Sequence, residues 1–203
     1  MKDNDYAGKI IPPSIDGVEI NTSSKAEFDT ILQAKEFYLQ ARNKFLNINT
    51  WHETSQLISA EFQIIDIKLK EVSRQPIEGD YFRIKIPGPD NATGDGYDWV
   101  RVEKIVTTNN DSEEGVFILV RPVSCPTNDN GSVAHFYSSD TTSTFNIQRI
   151  RNSVIAQVID SNTKVNQDVE GSDKLRAIVV GTAAITAFSK IQWKGLVNGL
   201  TKK

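Results

Sequence analysis

Cysteine occurs once in 203 residues, as Cys125, which excludes an internal disulfide and any site built from several thiolates. Its expected role is that of a small buried hydrophobe. Histidine occurs twice, as His52 and His135, and neither stands in the HExxH or CxxC/HxxxH spacing that holds zinc. His52 is expected to cap or stack at a helix exit, and His135 to sit in a short strand between Ala134 and Phe136. Gly-x-Ser-x-Gly turns, Walker loops and dinucleotide fingerprints are missing too, so nucleophilic, ATP and NAD chemistry have no warrant. No catalytic residue, metal ligand or cofactor is assigned. Neither sign of charge dominates: Lys and Arg number 23 against 26 Asp and Glu, a net charge of -3. That balance leaves no broad basic surface for nucleic acid. The longest uncharged apolar run, 177–189 between Arg176 and Lys190, falls short of the ~20 residues of a membrane helix. The opening residues show no basic segment followed by an apolar core and cleavage site, so the expected location is the cytoplasm.

What is present is a change of hydrophobic period along the chain. A length of 203 residues suits one domain with a sizeable core. Residues 1–22, broken by Pro12, Pro13 and Gly17, read as an extended arm, with a short edge strand at 18–20. Residues 23–203 read as a single α+β domain. Ser24-Lys25-Ala26-Glu27 fits a capping box and predicts a helix over 24–48, with Phe28, Ile31, Leu32, Tyr38, Leu39, Phe45 and Leu46 on its apolar face. Strands follow within 57–160, where alternation predicts segments from Leu57, then 81–86, 97–107, 116–123, 133–137, 144–150 and 154–159. Their short polar connections make neighbours antiparallel. The change of parity after Ile64 predicts a bulge or bend. The architecture expected is a curved antiparallel sheet or partly closed barrel of about six to seven strands. A long buried helix over 173–201 closes it, with a stripe of Leu175, Ile178, Val179, Ile185, Trp193, Leu196, Val197 and Leu200.

Alternation within 78–105 collects Tyr81, Arg83, Tyr97, Trp99, Arg101 and Glu103 on one side of two strands, with Arg121 on a neighbour. Phe82, Ile84, Val100, Val102 and Val106 take the other side. Cross-strand Arg-Glu and aromatic pairs on an ordinary wet face account for such a set. Two functional readings compete with that one. A concave face would make Trp99 and the tyrosines the wall of a pocket oriented by Arg83 or Arg101. An exposed flat face would match the residue types of interface hot spots. The acidic groups Asp95/Asp98 and Asp111/Glu113/Glu114 invite comparison with a glycosidase or calcium site; the second reads as a hairpin tip, the first keeps slightly more claim, and the 87–96 loop lacks the ligand spacing of an EF-hand.

The order of helix, antiparallel strands and closing helix resembles the helix-grip arrangement of START-like ligand-binding and polyketide-cyclase-like proteins. Residues 18–31 stand for the opening strand and helix, and 175–200 for the closing one. The resemblance is of architecture, with no motif matching residue by residue. An SH3-like small barrel over 81–137 with flanking helices is the alternative. The function expected is a non-enzymatic binding or assembly protein that uses the aromatic and basic sheet face to meet a protein partner. The competing expectation is a ligand-pocket protein for a small molecule of mixed polarity, with lyase or cyclase chemistry as its enzymatic form. A homodimer through a second apolar face of the last helix is also expected. Nucleic acid and membrane are not expected partners.

Overall fold

In the computed structural model, which describes residues 10–13, 15, 17–55, 60–87, 90–164, 166 and 190–203, the first helix opens at Thr30. The Gln33 N–H donates to the Thr30 hydroxyl at 3.2 Å, and the Thr30 N–H donates to the Gln33 side-chain carbonyl at 3.1 Å. This reciprocal box satisfies two orphan amides at the start of α1 (Ile31–Leu46). The box expected at Ser24–Glu27 does not form. Those residues belong to β1 (Val18–Glu27), where their backbone pairs with residues 153–156 of a distant strand. The boundary drawn at 22 is corrected with it, since the strand runs through it. Both tetrads fit the capping pattern, and a partner strand decides between them. The face of α1 also differs from expectation. Ala34, Tyr38, Ala41, Phe45 and Leu46 are buried, whereas Ile31, Leu32 and Leu39 are exposed. The two alanines leave the helix close to the layer beneath it.

A 3-10 turn (Ile48–Thr50) leads into α2 (Trp51–Ser55). The Trp51 Nε1–H donates to the Phe45 carbonyl at 2.9 Å, and its ring meets Phe45, Phe62, Phe82 and Phe145 at centroid distances of 4.9 to 6.2 Å. The remaining strands are β2 (Glu61–Ile65), β3 (Tyr81–Lys85), β4 (Asp98–Asn109), β5 (Glu113–Pro122), β6 (Thr142–Ile150) and β7 (Ser153–Thr163). They form one curved antiparallel sheet in the order β1-β7-β6-β5-β4-β3-β2. The segment 133–137 is not a strand; it carries bridge residues at Val133, which pairs with Ser124, and at Tyr137. The seventh strand is β1 instead. An SH3-like barrel is set aside, because the sheet is a single open one with β1 and β2 at its edges.

The concave side carries the main core: Phe62 and Ile64, Phe82 and Ile84, Val100 and Val102, Val116 and Ile118, Phe145 and Ile147, Val154 and Val158. Such burial is worth about 1.5 to 3 kcal/mol per large apolar side chain. A register shift between Val102 and Lys104 turns the rest of β4 over. Val106 therefore leaves the side of Val100 and packs with Ile10, Phe117 and Leu119 on the convex face. Residues 190–201 are helical and form α3 within the described residues. Leu196, Val197 and Leu200 are buried in the main core, and Trp193 packs on it. The expected portion of this helix before 190 lies outside the described residues, and so does the apolar midsection proposed for a homodimer. Arg149 is fully buried beneath α1 and is held by Glu114 at 2.5 Å and by the carbonyls of Asp111, Ser112 and Arg151. Among the described residues no helix is long and apolar enough to cross a membrane.

Candidate functional site

The strands bring most of the predicted convex-face set together. Tyr81 stands opposite Arg101, Arg83 opposite Trp99, and Arg101 opposite Arg121. Trp99 is the exception in exposure, at 2%. Alternation points it outward correctly, but the 123–137 segment folds over that patch. The Trp99 N–H donates to Ala134 O at 2.8 Å, the Val123 N–H to Trp99 O at 3.1 Å, and the indole N–H to Gly94 O at 3.0 Å. The ring packs with Ile65, Ala134 and the buried Cys125 in a second small core. Gly94 packs closely there: a Cβ would stand 3.1 Å from both the indole Cδ1 and the Ala134 Cβ, so those neighbours would have to give way. Trp99 is thus a packing residue, and the pocket imagined around it is corrected: the concave side of the sheet is the other one.

The cations around it are mostly engaged. Arg83 pairs with Glu71 at 2.7 Å and lies 4.6 Å from the centre of the Tyr97 ring. Arg121 pairs with Glu103 at 2.6 Å and donates to Ser139 O at 2.7 Å. Tyr81 and Tyr97 are half-buried. Arg101 is exposed and has no ion-pair partner among the described residues.

A second constellation lies on the concave side. Ser143 on β6 and Asp160 on β7 are register partners with inward parity, and Asp160 is fully buried. Its carboxyl accepts from the Ser143 hydroxyl at 2.6 Å and from the Trp193 indole N–H at 3.1 Å. No cation faces it among the described residues. Burial therefore pushes its pKa up to about 6, against the two hydrogen bonds that hold it down. Beside Ser143 and Trp193 lies a cavity of about 30 Å³ with Phe82, Phe136, Phe145 and Gln192 in its walls. That is room for one or two waters. His135 and Tyr137 complete the wall from the irregular 133–137 segment. The Tyr137 N–H donates to His135 Nδ1 at 3.0 Å, which leaves the proton of a neutral imidazole on Nε2. Among the described residues no group of three or more His, Cys, Asp or Glu could hold a metal. Ser143 and Asp160 went unnoticed in the sequence, although a signal existed. The inward series Val154, Ala156, Val158 ends on a carboxylate.

No protein-family model matches the chain, and no curated protein matches its sequence. Among solved structures, a hypothetical protein from Helicobacter pylori is similar over 95% of this chain and 90% of its own, with a TM-score of 0.54 and 9% identity. Truncated norcoclaurine synthase from Thalictrum flavum aligns over 95% of this chain and 99% of its own, at 7% identity and a TM-score of 0.42. A START superfamily protein from Mycobacterium smegmatis aligns over 86% and 97%, at 10% identity and a TM-score of 0.35. At 9% identity the likeness to the Helicobacter pylori protein is one of fold.

Proposed function

We propose that the protein binds a small molecule of mixed polarity in the groove between the sheet and α3, without chemical turnover. Asp160 carries this reading. A carboxyl buried without a cation works against folding in its ionised form, and such groups are kept where they meet a ligand or a proton. Aromatic walls with a few convergent polar groups, here Ser143, His135, Tyr137 and Gln192, are the chemistry of a ligand site. Asp160 orients the Ser143 hydroxyl and the Trp193 indole, and Ser143 lines the cavity. The space present holds one or two waters, which a polar group of the ligand would displace. A larger body enters by displacing the 133–137 segment, which is held by loop hydrogen bonds rather than by a strand ladder.

The test is native mass spectrometry after mild purification, on wild type and Asp160→Asn. Asparagine keeps a hydrogen bond to both Ser143 and Trp193 but cannot carry the charge. Wild type is expected to retain a small-molecule mass that the variant loses while remaining folded. Bare chain mass from wild type in every gentle preparation would overturn the reading.

A further inference from the structure

Arg101 stands in an unusual setting on the convex face. Its neighbours Arg83, Lys85 and Arg121 each hold a carboxylate within 4 Å, whereas Arg101 holds none among the described residues. It faces Arg121 directly across the β4–β5 ladder, and like charges in that position repel. Next to it the hairpin turn 66–70 projects two aliphatic side chains into water. Ile67 is 69% exposed and Leu69 43% exposed. The turn is closed by the Leu69 N–H on Asp66 O and by the Asp66 carboxylate, which accepts from the amides of Lys68 and Lys70. Closure holds Leu69 at a φ of 61°, a conformation that side-chain-bearing residues rarely adopt and glycine or asparagine would fill without strain. Ile77, 54% exposed, lies one turn before Gly79. A Cβ placed on Gly79 would be 3.4 Å from Ile67 Cγ2 and 4.0 Å from Arg101 Nη2, so the aliphatic tip and the unpaired guanidinium are neighbours across the bare Gly79 backbone.

We infer that Ile67, Leu69 and Arg101 form a docking surface for a partner protein that presents a carboxylate beside a bulky apolar side chain. Complementarity sets the occupant. The guanidinium offers a planar two-pronged donor that matches Asp or Glu, and Ile67 adds apolar area beside it across Gly79. Exposed lysines at 68, 70 and 104 lie on the same turn and strand as Leu69 and Arg101 and can reach an acidic segment. Three unfavourable local choices meet here: an unpaired Arg opposite an Arg, aliphatics in water, and a leucine in a glycine conformation. Contact with such a partner relieves the first two. The surface is on the opposite side of the sheet from Asp160 and stands independently of the ligand reading.

The test pans a random linear peptide library against the full-length chain, then measures enriched peptides by fluorescence polarisation on wild type, Arg101→Glu and Ile67→Ser. Both sites are exposed, and unchanged unfolding midpoints will confirm that the variants fold. Enriched peptides are expected to carry Asp or Glu next to Leu, Ile, Phe or Trp. They should bind each variant about tenfold or more weakly than wild type. Arg101→Glu should in turn accept peptides whose acid is replaced by Lys or Arg. Peptides that bind the variants as tightly as wild type, or no enrichment, overturn the inference. Vesicles of phosphatidylcholine with phosphatidylserine form the second arm. Binding there, lost in Ile67→Ser, with no peptide enrichment, assigns the surface to a membrane and also overturns it.

Discussion

Replacing Gly199 with alanine should destabilise the protein, against the usual rule for helices. Inside a helix that change ordinarily stabilises by about 1 kcal/mol, because alanine loses less backbone entropy. Here the added Cβ would sit 1.8 Å from Thr54 O and 2.7 Å from its carbonyl carbon, where ordinary contact begins at 3.4 Å. The required separation is 3.4 minus 1.8, or 1.6 Å, and the obstacle is α2 backbone rather than a side-chain tip that could swing away. To make room, α3 must retreat from α2 and pull Leu196, Val197 and Leu200 off the core around Trp51. Overpacking of this kind costs about 1 to 3 kcal/mol, and a backbone clash sits at the upper end. Subtracting the propensity gain leaves a net loss of about 2 kcal/mol. For a chain of this length that corresponds to roughly 4 to 8 °C in melting temperature. Urea unfolding followed by tryptophan fluorescence will measure it, with an unchanged slope showing that the unfolded state is not altered. Asn198→Ala, exposed on the same helix, is the control and should gain a few tenths of a kcal/mol. A Gly199→Ala midpoint at or above wild type would refute the close approach of α2 and α3.

Two further outcomes concern buried charge. The Asp160 pKa rises on folding from 3.8 to about 6, so its contribution favours the native state below the lower value and fades as pH climbs through the upper one. The Asp160→Asn variant should therefore be more stable than wild type at pH 7, by on the order of 3 kcal/mol, with the gap closing toward pH 4. A gap that does not change with pH, read from urea midpoints, would count against the buried unpaired carboxyl. Arg149→Met should cost about 3 to 5 kcal/mol, because it strands Glu114 and three turn carbonyls. Adding Glu114→Gln should recover part of that loss, and a double-mutant cycle that shows strictly additive effects would exclude the pairing.

The antiparallel sheet was legible because its evidence is local. The strands expected at 81–86, 97–107 and 154–159 are found at Tyr81–Lys85, Asp98–Asn109 and Ser153–Thr163, and Trp193, Leu196, Val197 and Leu200 keep one helical stripe. What escaped depended on distant partners. Ser24-x-x-Glu27 and Thr30-x-x-Gln33 are equally good boxes, and only β7 distinguishes them. Tyr38, Phe45 and Leu46 of α1 lie on the expected face, but the tight approach selects Ala34 and Ala41 over the larger Ile31, Leu32 and Leu39, which size alone would bury. Trp99 points where alternation puts it, yet a loop reached through β5 covers it. A single register shift in β4 moved Val106 to the opposite side. Asp160 looked like the end of a strand and proved to be the inward position where its apolar series turns polar.

The pairing of β1 with β7 has a consequence for how the chain is made. Asn21 and Gln157 are joined side chain to side chain although 136 positions separate them, so β1 leaves the ribosome long before its neighbour exists. Until residues 153–163 emerge, a ten-residue ribbon waits with both rims unoccupied. Its sequence, Asn-Thr-Ser-Ser-Lys at the centre, is hydrophilic enough to wait in water without seeking a neighbouring nascent chain. Sheet closure is then a late, long-range event that must await residues 153–163.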